Sequence, residues 1–106
     1  MRNVIIADDH PVVFRGLREI LRENFGGVVV EGAGTGRELI EKVKRNDYDL
    51  VLLDICLPDA NGLDILSDLR RKRPKLPVLV ISMYPEELYA VRAIRTGAQG
   101  YLTKQS

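Results

Sequence analysis

Apolar residues in this chain fall into short unbroken runs, separated by stretches in which they recur every three or four positions. Asn3-Val4-Ile5-Ile6-Ala7, Leu50-Val51-Leu52-Leu53 and Val78-Leu79-Val80-Ile81 are runs of the first kind. Continuous apolar runs of this length read as strands buried on both faces. They predict strands over 3–8, 50–54 and 78–81, with shorter ones at Val28-Val29-Val30 and over 98–102. Between them the spacing becomes helical. Residues 11–24 carry Val13, Leu17, Ile20 and Leu21 on one face, with Pro11 in the first turn, where its missing N–H is not needed, and Gly26-Gly27 beyond the end. Thr35-Gly36-Arg37-Glu38 has capping-box spacing ahead of Leu39, Ile40 and Val43, and Asn46-Asp47 closes that helix. Asn61 caps a third helix with Leu63, Leu66 and Leu69 inward. Pro74 and Pro77 bracket a turn. Pro85 opens a fourth helix carrying Leu88, Val91 and Ile94, and Gly97 ends it.

Strand and helix therefore alternate as (βα)₄β, which predicts a doubly wound parallel sheet with right-handed crossovers. Such a sheet wants helices on both faces. A fifth helix is expected after residue 102, so the chain reads as one domain, 1–106, cut short before its last helix. The sheet surface that helix would cover is expected to lie open, or to be covered by a second copy of the chain.

The alternation also gathers chemistry. Asp8 and Asp9 follow the first strand, Asp54 ends the third, and Lys104 follows the fifth. In open α/β sheets ligands sit at the carboxyl ends of the strands. Acids brought together there need a cation, which a divalent metal and one lysine would supply. Composition adds little against this. A chain of 106 residues with 45% hydrophobic content has room for one modest core. A net charge of +1 gives no global pull towards nucleic acid or membrane. No stretch is long enough to span a bilayer, and no signal peptide is visible. The single cysteine, Cys56, suits a reducing compartment, so a cytoplasmic location is expected.

Four motifs now stand in order: Ala7-Asp8-Asp9-His10-Pro11, then Asp54-Ile55-Cys56-Leu57-Pro58 with Asn61-Gly62, then Ser82-Met83, then Tyr101-Leu102-Thr103-Lys104. Together they resemble the receiver domains of two-component response regulators over essentially the whole chain. The opening motif and Ser82-Met83-Tyr84-Pro85-Glu86 look like the subgroup with a LuxR-type helix-turn-helix output (NarL/FixJ-like). The resemblance implies a flavodoxin-like five-stranded sheet of order 2-1-3-4-5. It implies Asp54 as phosphoryl acceptor, with Mg²⁺ held by Asp9 and Asp54, by Asp8 through water, and by the backbone carbonyl of Cys56. Mg²⁺ is hard and the Cys56 sulfur soft, so the thiol is not expected as a ligand. Lys104 and Ser82 would contact the phosphoryl oxygens, and Tyr101 would change rotamer on activation. The implied partners are a sensor histidine kinase, DNA only through an output domain absent from this chain, and a second copy on phosphorylation. No membrane partner is expected. The readout surface would be the fourth helix and fifth strand, with Tyr89 and Arg92 outward.

Other readings compete with this one. A phosphohydrolase with an aspartyl nucleophile usually carries a second acid two residues on, where this chain has Cys56. A nucleotide or flavin binder would want Gly, Ser or Thr after the first strand, where Asp8-Asp9-His10 would repel phosphate. A receiver-like interaction module that never takes phosphate is the nearest alternative. The expected chain is therefore not an enzyme beyond assisting its own phosphorylation and dephosphorylation. His10, the only histidine, reads chiefly as the residue that opens the first helix. Gln105 stands where many receivers have proline, so a cis Lys104-Gln105 bond is not expected; a cis bond before a non-proline residue costs about 3 kcal/mol. Leu57 in place of a common methionine nearly conserves volume.

Met83 is bulkier than the alanine or glycine many receivers carry beside the phosphoryl group, and is expected to narrow access to it. Met83→Ala should therefore speed loss of phosphate. An unchanged half-life in a dephosphorylation time course would refute this.

Overall fold

The computed structural model describes residues 1–104, and of residues 86–88 the backbone alone. Five parallel strands, β1 (Asn3–Ala7), β2 (Val29–Ala33), β3 (Leu50–Asp54), β4 (Val78–Ser82) and β5 (Gly100–Thr103), form one sheet in the order β2-β1-β3-β4-β5. The helices α1 (Pro11–Asn24), α2 (Gly36–Arg45), α3 (Gly62–Lys72) and α4 (Glu86–Thr96) connect them in turn. This is the expected doubly wound sheet. No helix among the described residues is long and apolar enough to cross a membrane.

The two sheet faces are covered unequally. On one, Ile5, Val51, Leu53, Val78 and Val80 pack against Leu39 and Val43 of α2, Leu66 and Leu69 of α3 and Ala93 of α4. On the other, Val4, Ile6, Leu52 and Ile81 meet Leu21 of α1, with Phe14 and Leu17 partly buried beside them. Complete burial of one Val, Ile or Leu is worth about 1.5–3 kcal/mol, so the central strands β1 and β3 anchor both layers. Leu102, paired with Ile81, lies on the α1 side and is half exposed.

Several expectations need correction. The helical face of α1 is Phe14, Leu17 and Leu21, spaced three and four apart; Ile20 is exposed because it lies about 100° round the helix from Leu21. Val91 and Ile94 of α4 also face outward, whereas Ala93, with Tyr89 and Ala90 partly buried, meets the core. Tyr89 is thus half inward, and Arg92 is exposed as expected. The side chain of Leu88 and the Lys104-Gln105 bond lie outside the described residues. β2 runs on to Ala33 through Glu31 and Gly32, which an apolar pattern could not reveal because this edge strand is only partly buried. β5 begins later than residue 98, because the N–H of Ala98 bonds back to the Ala93 carbonyl at the exit of α4. Gly97, with φ 124°, makes that exit and is the residue type it demands.

Helix starts are secured across the chain. Thr35 Oγ1 accepts from the Glu38 N–H at 3.0 Å, and Glu38 Oε1 accepts from the Gly34 N–H at 2.8 Å. Asp59, from the loop after β3, accepts from the Gly36 and Arg37 N–H groups at 2.7 and 3.0 Å, which holds its carboxyl below the ordinary carboxylate range. Asn61 Oδ1 accepts from the Leu63 N–H at 2.8 Å and starts α3.

Gly62, the first residue of α3, lies against the chain leaving β3: a Cβ there would sit 2.5 Å from Ile55 Cα and 2.8 Å from the Asp54 carbonyl oxygen. Backbone cannot yield as a side chain can. Gly62→Ala should lower the unfolding free energy by about 1–3 kcal/mol, measured by urea denaturation.

Candidate functional site

Sheet register decides which residues meet at the carboxyl edge. Ala7 of β1 pairs with Leu53 of β3, and each is followed by an aspartate, Asp8 and Asp54. Asp54 pairs with Ile81, and the next residue, Ser82, pairs with Thr103. The Lys104 N–H donates to the Ser82 carbonyl at 2.7 Å, and the Asp8 N–H to the Ala33 carbonyl at 3.0 Å, so the sheet pattern continues into the site and fixes it.

The geometry centres on Lys104. Its Nζ lies 2.7 Å from Asp8 Oδ2 and 3.0 Å from Asp54 Oδ2, and all three side chains are almost fully buried. Asp54 Oδ1 accepts from the Cys56 N–H at 3.0 Å. Burial pushes the Asp54 carboxyl above the ordinary aspartate range; the Cys56 N–H and Lys104 oppose this, and Asp8 adds to it by repulsion. Burial would draw the Lys104 ammonium down, but its bonds to Asp8 and Asp54 outweigh that and hold it above the usual lysine value.

Asp9 is more open and completes a group with Asp8, His10 and Asp54, whose candidate ligand atoms all lie within 4.8 Å of one another. Three carboxylates against one ammonium leave an excess of two negative charges. Oxygen donors with that excess fit a hard divalent cation. A hollow of about 290 Å³ opens beside Asp8 and Asp9, lined also by Phe14 and residues 32–34. A larger cavity of about 650 Å³ lies at the opposite end of the strands, near Tyr48 and Arg73, away from these acids.

The structure brings together Asp8, Asp9, Asp54 and Lys104. Cys56 joins them through its N–H, with its side chain exposed. Ser82 is fully buried on the same edge; its Oγ accepts from the Tyr84 N–H at 3.0 Å. Among the bonds of the described residues that hydroxyl donates none. Tyr101 is buried, and its hydroxyl donates to the Tyr84 carbonyl at 2.9 Å, so it meets the loop after Ser82 and not the acids. Met83 lies exposed in that loop.

His10 opens α1, as expected, and also meets the acids. It does cap α1, with extended backbone angles, but its ring makes no capping bond. Instead Nδ1 lies 2.7 Å from Asp8 Oδ1 and 3.2 Å from Asp9 Oδ1. Its place directly after two acids at a strand end was the available signal.

Residues 4–106 match the family described as Response regulator receiver domain. The chain is 37% identical over 103 residues to the nitrate/nitrite response regulator protein NarP of Escherichia coli (strain K12), covering 97% of this chain and 48% of that protein. It is 34% identical over 102 residues to the transcriptional regulatory protein DegU of Brevibacillus brevis, covering 96% of this chain and 43% of that one. The chain thus spans about half the length of the curated relatives it matches. Among solved structures, the beryllofluoride-activated NtrC4 receiver domain dimer superimposes with a TM-score of 0.91 at 30% identity, covering 100% of this chain and 86% of that one. An acid-and-lysine centre at the carboxyl edge of a 2-1-3-4-5 sheet, in a chain with these relatives, belongs to the receiver domains of two-component response regulators.

Proposed function

We propose that this chain is a phosphorylation-switched signalling module that accepts a phosphoryl group on Asp54 in the presence of Mg²⁺. The observation that carries this is the Lys104 ammonium held between Asp8 and Asp54, with Asp9 alongside. Asp9 and Asp54, with the Cys56 carbonyl, would hold Mg²⁺ directly, and Asp8 through water. Bound there, the ion supplies positive charge for the phosphoryl oxygens, without which a carboxylate and a phosphate repel each other.

The chain's own groups do the rest. The Cys56 N–H orients Asp54 through Oδ1. Lys104 stands ready to transfer one of its carboxylate contacts to a phosphoryl oxygen. In the transfer, the bond from phosphorus to the donor's histidine nitrogen or acyl oxygen breaks, and the donor leaves with that electron pair. An Asp54 oxygen forms the new bond to phosphorus. The donor class is the phosphohistidine of a sensor kinase.

The added group brings nearly two negative charges and three acceptor oxygens. Ser82, whose hydroxyl donates no bond among the described residues, would donate to one of them and draw residues 82–84 inward. That movement strains the bond from Tyr101 to the Tyr84 carbonyl, so Tyr101 reports the change towards α4 and β5. A near-complete shift between two states needs about 5.5 kcal/mol of differential binding. Two or three charge-assisted bonds at about 1.5–3 kcal/mol each supply it. The name of DegU, a transcriptional regulatory protein, supports transcription as the output.

Intact-mass spectrometry after incubation with Mg²⁺ and acetyl phosphate should show one added phosphoryl group, lost in Asp54→Ala; a gain of mass retained in that variant overturns the assignment. The raised Asp54 carboxyl has a second consequence. The fold disfavours its ionised form, so stability falls as pH rises from the ordinary aspartate range through the raised value. In EDTA, Asp54→Asn should therefore raise Tm by a few degrees at pH 7, and the gain should vanish near pH 3. A gain equal at both pH values would show that charge is not its cause.

A further inference from the structure

We infer that His10 is a nitrogen ligand of the same centre, and that it widens the centre's choice of metal from Mg²⁺ towards borderline divalent ions such as Ni²⁺. The inference rests on the acid centre proposed above and adds one residue to it.

Three features place His10 there. Its N–H donates to Asp8 Oδ1 at 2.8 Å, which fixes its backbone at the rim of the cluster. Its Nδ1 lies 2.7, 3.2 and 3.9 Å from carboxylate oxygens of Asp8, Asp9 and Asp54, so the nitrogen already faces all three acids. The ring is 57% exposed and makes no bond to the start of α1, so neither packing nor capping explains its direction. Its direction is set by the hydrogen bond between Nδ1 and Asp8 Oδ1 at 2.7 Å, which a bond from Nδ1 to the ion would replace.

The consequence follows from ligand chemistry. Carboxylate and carbonyl oxygens alone suit Mg²⁺, Ca²⁺ and Mn²⁺, whereas imidazole suits Ni²⁺, Zn²⁺ and Cu²⁺. Affinity for a mixed nitrogen and oxygen set rises along the first-row series towards copper. Ni²⁺ accepts six-coordination by oxygen and nitrogen, so the carboxylates that hold Mg²⁺ can hold it too. The imidazole would replace a water that Mg²⁺ keeps. Losing the nitrogen should then matter for Ni²⁺ and hardly for Mg²⁺, which binds the oxygens in either case. An effect of this kind separates a ligand from a residue that only shapes the acids, because the latter would change both ions alike.

The test is calorimetric titration with MgCl₂ and with NiCl₂, in a Cys56→Ser background so that the exposed thiol takes no part. His10→Ala and His10→Asn are compared with the parent, the asparagine variant preserving a good helix cap. Both variants should bind Ni²⁺ about tenfold or more weakly and Mg²⁺ within about threefold of the parent, as expected for loss of one imidazole from an otherwise oxygen site. Unchanged Ni²⁺ affinity, or equal weakening of both ions, overturns the role of His10. If the parent binds neither ion, or Asp54→Asn leaves both affinities intact, the acid centre itself fails.

Discussion

Everything at the carboxyl edge depends on one lysine between two buried aspartates. Carboxylate oxygens less than 5 Å apart repel by about 3–4 kcal/mol at the effective dielectric of a protein interior. Lys104 offsets much of this for Asp8 and Asp54 by direct contact with each. It leaves Asp9 and the surplus charge uncompensated. The site is therefore held together yet carries surplus negative charge, which suits a divalent cation. Without Lys104 the cluster would leave buried charge without that partner, a loss of several kcal/mol.

The same lysine ties the chemistry to the rest of the fold. Its backbone N–H bonds the Ser82 carbonyl, so the ends of β4 and β5 are joined at the point where its side chain enters the acids. Two residues beyond Ser82, the Tyr84 N–H bonds the serine hydroxyl oxygen while its carbonyl takes the Tyr101 hydroxyl. The Tyr84 ring lies 4.9 Å from that of Tyr89 on α4. A change in charge at Asp54 thus has a short path of packed and hydrogen-bonded groups to the outer surface of α4, where Val91 and Ile94 are exposed.

Much of this was legible because it is local. The strands β1, β3 and β4 announce themselves as apolar runs, and the starts of α2 and α3 are marked by Thr35 and Asn61, whose side chains do cap them. Candidate acids could be found because each stands directly after such a run. Periodicity was less reliable within helices. It put Ile20 on the apolar face of α1 and gave Val91 and Ile94 as apolar positions of α4, whereas the core takes Phe14 and the smaller Ala90 and Ala93. Which side of a helix meets the sheet depends on the crossover before it, and no window of sequence contains that. The edge strand β2 hid its last three residues for a related reason: Glu31 and Gly32 need not be apolar where burial is partial.

The sequence by itself determined the alternation of strand and helix, and with it the placing of Asp8, Asp9, Asp54 and Lys104 at strand ends, since strand ends are set by short-range patterns of burial. Tertiary structure alone decided their contacts. Residues fifty positions apart meet because parallel pairing puts Ala7 beside Leu53 and Ser82 beside Thr103. The direction of the His10 ring was decided there as well. Helix capping and entry into the acid cluster are equally open to that residue in one dimension, and the carboxylates gathered at the ends of β1 and β3 choose between them.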